Sequence, residues 1–173
     1  VEGLFIKPLF SLAVLAVAMG LLLFVPAGTI RYWQAWLYLA TFVGASLLFS
    51  LYLARHDRAL LERRMRGGPM AEKRATQKII MLFTSAGFIA LLVVPALDHR
   101  FRWSSMPPSA VIAADILVAA GFYLTFLVAK ENTFASSTIE LAADQKVIST
   151  GPYALVRHPM YASALLYLIG TAP

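Results

Sequence analysis

Pro8-Leu-Phe-Ser-Leu-Ala-Val-Leu-Ala-Val-Ala-Met-Gly-Leu-Leu-Leu-Phe-Val-Pro26 carries no charge and nothing more polar than one serine. About twenty such residues is what an α-helix needs to cross the hydrocarbon core of a bilayer. Inside lipid a lone segment satisfies its backbone polar groups only as a helix. The flanks do not fit a cleaved signal peptide, because the apolar run is too long and no small-residue cleavage site leads into a polar domain. A retained spanning helix is therefore predicted, with Ala16 and Gly20, four apart, letting a neighbouring helix approach closely.

The same pattern recurs down the chain. Apolar runs fill Trp33 to Ala54, Ile79 to Leu97 and Ser109 to Ala129, and a fifth begins around Met160 and Tyr161 and stops at Pro173. Of the 173 residues 60% are hydrophobic, against about 45–50% in soluble domains. The predicted fold is all-α: a single polytopic membrane domain with four full spanning helices, at about 8–26, 33–54, 79–97 and 109–129, and part of a fifth at 160–173. Because the chain opens on Val1 and stops within an apolar run, a longer protein is expected. Tyr32, Trp33, Trp36 and Tyr38 crowd the start of the second run and predict an aromatic belt at a membrane interface. Pro95 sits near the end of the third run, where a proline does least harm to a helix.

Charge gives the expected orientation. Between Arg55 and Lys78 the basic residues Arg55, Arg58, Arg63, Arg64, Arg66, Lys73, Arg74 and Lys78 outnumber Asp57, Glu62 and Glu72. Basic loops stay on the cytoplasmic side, so loops 55–78 and 130–159 and the N-terminus are expected there, in a bacterial inner membrane. Residues Arg58 to Met65 have helical spacing and are expected to lie on the membrane surface, with Gly67-Gly68-Pro69 ending the helix. The net charge of +6 follows from the same insertion rule and gives no reason to expect nucleic acid. The absence of cysteine excludes disulfides and thiolate chemistry, and scattered histidines make no zinc site. Asp115 is the one ionisable side chain inside a predicted span; it lies about two turns from the outer end, within reach of Arg100 or Arg102 or of interfacial water.

One stretch is not explained by the membrane: Gly151-Pro152-Tyr153-Ala154-Leu155-Val156-Arg157-His158-Pro159-Met160-Tyr161. Gly-Pro forms turns, and proline is favoured at the first position of a helix, which makes His158 its N-cap. Arg157 and His158 then stand beside unpaired backbone N–H groups at the positive end of a helix, a place that attracts anions. Upstream, Thr138 to Leu141 and Val147-Ile148 have the alternation of short extended pieces.

Together with Glu131-Asn132-Thr133-Phe134 and Gln145-Lys146-Val147-Ile148, the pattern Gly-Pro-Tyr-x-x-Val-Arg-His-Pro-x-Tyr resembles the isoprenylcysteine carboxyl methyltransferase-like family of integral membrane methyltransferases. The resemblance covers the chain in motif detail from about residue 130 onward, and the earlier helices in number and hydropathy. It implies transfer of a methyl group from S-adenosylmethionine, held in a cytoplasmic loop by Gly151, Pro152, Tyr153, Leu155, Val156, Arg157, His158 and Tyr161, with Arg157, His158 and Tyr161 nearest the chemistry. It also implies a later segment with a Glu-Glu pair, which would follow Pro173.

The residues suit that cofactor. Arg157 matches a carboxylate, Tyr153, Leu155 and Val156 offer an adenine an apolar flank, and His158 is the available base for a neutral acceptor. The acceptor is expected to be lipophilic or small, a carboxylate, amine or thiol that enters from lipid. Two other classes fit less well. A membrane reductase of the sterol type, using a nicotinamide cofactor, shares Arg-His-Pro but favours a tryptophan-containing approach to it. A scaffold or transport component needs ionisable groups along a path, and only Asp115 is inside a span. The plain alternative for Arg157 and His158 is snorkelling to lipid phosphates.

Overall fold

A computed structural model describes residues 2–65, 75–132 and 148–171, with the side chains of 2–5 excepted. The described residues form helices and turns without strands. The order is α1 (Glu2–Ala27), α2 (Trp33–His56), α3 (Arg58–Met65), α4 (Ala75–Phe101), α5 (Pro108–Glu131), α6 (Pro152–Leu155) and α7 (Pro159–Thr171). Helices α1, α2, α4 and α5 are each long and apolar enough to cross a membrane. Their outward faces expose Phe10, Val17, Phe83 and Ile116. An outer surface this apolar fits lipid rather than water, so the chain is a multi-pass, all-α integral membrane protein.

The helices outrun the apolar stretches. α4 starts four residues before Ile79 and continues through Pro95 as far as Phe101, so the loop expected from Asp98 begins later. Hydropathy marks where lipid begins; backbone hydrogen bonding continues into the interface, and neighbouring helices in a membrane tolerate the bond that a proline removes. The ends are made by local chemistry. Gly28, at φ 66°, donates its N–H to the carbonyls of Phe24 and Val25 at 3.0 and 3.2 Å, closing α1 with a left-handed cap. Past α4, Asp98 accepts from the Ser104 N–H at 2.8 Å and from its hydroxyl at 2.7 Å. Asp57 ends α2 and caps α3, accepting the Leu60 N–H on its carboxylate at 2.9 Å.

Two apolar clusters mark the two ends of the bundle. Met19, Leu23, Ala27, Tyr32, Ala35, Leu92 and Ala96 join α1, α2 and α4 at one end. Leu53, Ala54, Leu60, Leu61 and Ala129 join α2, α3 and the last turn of α5 at the other. So α3 packs against the bundle through Leu60 and Leu61. Between the ends, Phe42 of α2 meets Phe88 of α4 at 6.2 Å and Phe122 of α5 at 4.9 Å between ring centroids.

The closest packing is between α5 and α7, which run antiparallel. Val111, Ala114, Val118, Gly121, Thr125 and Val128 recur at intervals of three and four along the buried face of α5. A Cβ on Gly121 would stand 2.9 Å from the Ser163 carbonyl oxygen and the Tyr167 nitrogen, and one on Gly170 only 2.4 Å from the Ala114 carbonyl oxygen. The two backbones touch where side chains are absent, and the Thr125 hydroxyl reaches Ser163 Oγ at 3.0 Å beside them. This is how small residues join helices in lipid. The expected close approach at Gly20 is not seen among the described residues: a Cβ there meets nothing within 4 Å, and α1 faces its neighbours through Met19, Leu23 and Ala27.

The aromatic belt is likewise only partly where it was expected. Trp33 and Trp36 are outside, the latter donating to the Ile30 carbonyl at 2.9 Å. Tyr32 and Tyr38 turn inward: Tyr32 is buried and stacks on His99 with centroids 4.1 Å apart, while Tyr38 meets Thr171 at 3.1 Å.

Thermal unfolding in detergent should separate the two kinds of glycine. Gly170→Ala is expected to cost about 1–3 kcal/mol or more, since backbone must shift to admit the methyl group. Gly20→Ala is expected to be neutral or to stabilise by up to about 1 kcal/mol, through helix propensity. Equal midpoints for the two variants would contradict the α5–α7 packing.

Candidate functional site

Beyond α5 the chain passes through residues 133–147, outside the described residues, where Thr138 to Leu141 and Val147 also lie. It returns at Ile148, which is in no strand. From Thr150 to Tyr153 it makes a tight turn, the Tyr153 N–H donating to the Thr150 carbonyl at 3.1 Å. Gly151 sits at φ 57°, ψ −133°, the glycine position of a type II′ turn, and Pro152 fits the next position. The turn runs into the short α6, and Val156, extended, closes it by donating its N–H to the Pro152 carbonyl at 3.2 Å. Arg157 and His158 then lead into α7.

The start of α7 is built as the Pro159 signal predicts. The His158 carbonyl accepts from Tyr161 at 3.1 Å and from Ala162 at 3.3 Å, so His158 is the N-cap residue, and Pro159 is buried behind it. The His158 ring lies tilted at 48° to that of Tyr161, centroids 5.7 Å apart. On the open side of this elbow Leu155 is 88% exposed, Tyr161 72% and Val156 45%, and Arg157 and His158 are exposed as well.

What holds the elbow in place is the end of α5. Thr150 Oγ1 donates a short hydrogen bond to the Glu131 carboxylate. Asn132 Nδ2 donates to the Tyr153 hydroxyl at 2.7 Å. Glu131 lies so close over Gly151 that a Cβ there would stand 3.1–3.3 Å from its carboxyl end. Glycine at 151 therefore answers both a positive φ and a lack of room.

The structure thus gathers Gly151, Pro152, Tyr153, Leu155, Val156, Arg157, His158 and Tyr161 into one elbow at the end of the bundle that also carries α3. Tyr153 differs from the rest, since its hydroxyl is engaged as a brace to α5. Glu131 and Asn132 enter the site although the motif reading gave them no role there. Their sequence signal was the Glu131-Asn132-Thr133-Phe134 part of the motif, a polar pair at the end of an apolar run. Arg64 was read simply as a charge of a basic loop; here it leaves water to lie over the Phe49 ring at 5.1 Å. Burial lowers its pKa from the usual arginine value, and it remains a cation because guanidinium does not deprotonate in this range.

Asp115 belongs to the other end. Its Oδ2 accepts from the Thr41 hydroxyl, its Oδ1 has no partner among the described residues, and Arg100 instead lies over the Phe101 ring at 5.5 Å. The side chain points across to α2, so neither of the arginines named as partners from sequence is hydrogen-bonded to it.

No protein-family model, curated protein or solved structure matches this chain.

The brace between α5 and the turn is open to a double-mutant cycle. Asn132→Ala and Tyr153→Phe are expected to couple by about 0.5–1.5 kcal/mol in unfolding free energy, the net worth of one hydrogen bond. Strict additivity would contradict the contact.

Proposed function

We propose that the chain is an S-adenosylmethionine-dependent methyltransferase of the isoprenylcysteine carboxyl methyltransferase-like type, acting on a lipophilic or small acceptor at the cytoplasmic membrane interface. The supporting observation is the elbow itself. It offers a guanidinium at a helix start, an exposed apolar surface at Leu155 and Val156, and, folded back over Gly151 from α5, a carboxylate at Glu131. Those are the groups needed for the carboxylate, the ammonium or ribose, and the adenine of the cofactor. Leu155, exposed though apolar, is surface that packing within the described chain does not use.

Arg157 would hold the carboxylate through charge-assisted hydrogen bonds, and Glu131 would face the positively charged or hydroxyl-bearing part. When bound, S-adenosylmethionine supplies a methyl group already activated by the sulfonium. The work left to the chain is alignment of an acceptor with that group, which accounts for most of the acceleration in such displacements. For a neutral thiol or amine a proton must also leave, and the exposed His158 ring is the base the elbow offers. A carboxylate acceptor needs no base. An amphiphile reaches this end from lipid while the polar cofactor arrives from water.

The deciding comparison is the affinity of the purified protein for S-adenosylhomocysteine and for a nicotinamide dinucleotide. Binding of the former alone supports the reading; preference for the dinucleotide would replace it with a sterol-type reductase. Arg157→Ala should weaken S-adenosylhomocysteine binding about ten- to hundredfold, the equivalent of about 1.5–3 kcal/mol. Arg157→Lys should recover only part, because lysine restores the charge and not the fork. Unchanged affinity in Arg157→Lys would favour snorkelling to phosphate instead. For orientation, single cysteines at the exposed Arg55 and Ser149 should be protected from an impermeant reagent outside intact cells, and one at Ser105 labelled; the reverse pattern would invert the topology.

A further inference from the structure

At the end of the bundle opposite the elbow, a cavity of about 30 Å³ lies among α1, α2, α4, α5 and α7, with Gln34, Tyr38, Asp115 and Thr171 in its wall. Two of these residues carry a buried oxygen without a hydrogen-bond partner among the described residues: Asp115 Oδ1 and Gln34 Oε1. Thr171 uses its one hydroxyl proton on the Tyr167 carbonyl at 2.6 Å. The 3.1 Å contact between Tyr38 and Thr171 therefore has Tyr38 as donor, which leaves lone pairs on the Tyr38 oxygen. The cavity wall thus offers three oxygens with free lone pairs, on Asp115, Gln34 and Tyr38, with one formal negative charge among them. An unpaired carboxylate at this depth is costly, and the Thr41 hydroxyl compensates only one of its two oxygens.

The cavity has a way out. Tyr32, Gln34, Pro95 and Val111 line both it and a larger polar crevice of about 230 Å³ that opens by Asp98, His99, Arg102 and Ser104. Volume limits the occupant: about 30 Å³ holds one or two water-sized particles and no organic cofactor or acceptor.

The geometry points to a binding site for one small monovalent metal cation, of the size and hardness of sodium, at Asp115, entered from the face opposite the elbow. Asp115 Oδ1 supplies the charge, and Gln34 Oε1 and the Tyr38 hydroxyl supply neutral oxygens, the ligand type hard cations take. Among the described residues no three His, Cys, Asp or Glu side chains gather, so the donor set suits one positive charge rather than two. The site's role is structural: it neutralises the Asp115 carboxylate within α5 and ties α2 to α5 and α7.

The test is thermal unfolding of the purified protein in sodium, with potassium and choline at equal ionic strength as controls. Sodium at about ten times its Kd should raise the midpoint by about 3–6 °C. Asp115→Asn should abolish the rise and, without sodium, be at least as stable as the parent, because the uncompensated charge is gone. Gln34→Leu keeps the carboxylate and should weaken sodium binding, measured directly with radioactive sodium, whatever becomes of Asp115→Asn. Equal midpoints in all three salts, or a sodium-specific rise that survives in Asp115→Asn, would overturn the site. A response to acid alone, with none to sodium, would also overturn it by giving Asp115 a proton instead.

Discussion

The contact between the backbones of α5 and α7 is the constraint on which the rest of this structure depends. Helices in lipid have no hydrophobic force pressing them together, so they associate where backbones approach closely and polar side chains pair. Gly121 and Gly170 permit that approach, and Thr125 with Ser163 adds the hydrogen bond. With α7 docked, Pro159 is buried and the residues before it emerge beside the end of α5. Glu131 and Asn132 can then reach Thr150 and Tyr153. The elbow is held from two directions, by helix packing behind it and by polar bridges across its turn.

The spans were legible because lipid imposes one requirement on every residue of a crossing helix, and a long apolar run meets it visibly. The turn at Gly151-Pro152 and the start of α7 at Pro159 were legible too, since each rests on local backbone restriction. Partners across helices were not. Gly20 and Gly121 look alike in sequence, yet only Gly121 has a backbone against it, and no local property distinguishes them. Tyr32 and Tyr38 sit among interfacial tryptophans in the sequence, but Tyr32, just before α2, and Tyr38, on its inner face, both turn toward the bundle. Asp115 was noticed for its charge; that its neighbours would be Thr41 and Gln34 of α2 depended on how α2 and α5 pack. Glu131 was quoted as part of a motif and acquired its place over Gly151 only through the fold.

The two ends of the bundle are chemically different. One gathers basic α3, the Glu131 carboxylate and the exposed Arg157, His158 and Tyr161 on an open surface suited to a charged organic ligand. The other holds a small acceptor-lined cavity around Asp115. The apolar middle, with Phe42, Phe88 and Phe122 in contact, separates them. Under the proposed reading a polar cofactor would bind at the elbow end, which shares α5 and α7 with Asp115. The proposal of methyl transfer rests on motif residues and on their assembly at the elbow.

Photo-crosslinking with an azido-adenosyl analogue of the cofactor, followed by peptide mapping, tests the central claim most directly. The account predicts label on residues 148–161, competed away by S-adenosylhomocysteine. Competable label confined to the opposite end, among residues 98–108, would contradict it.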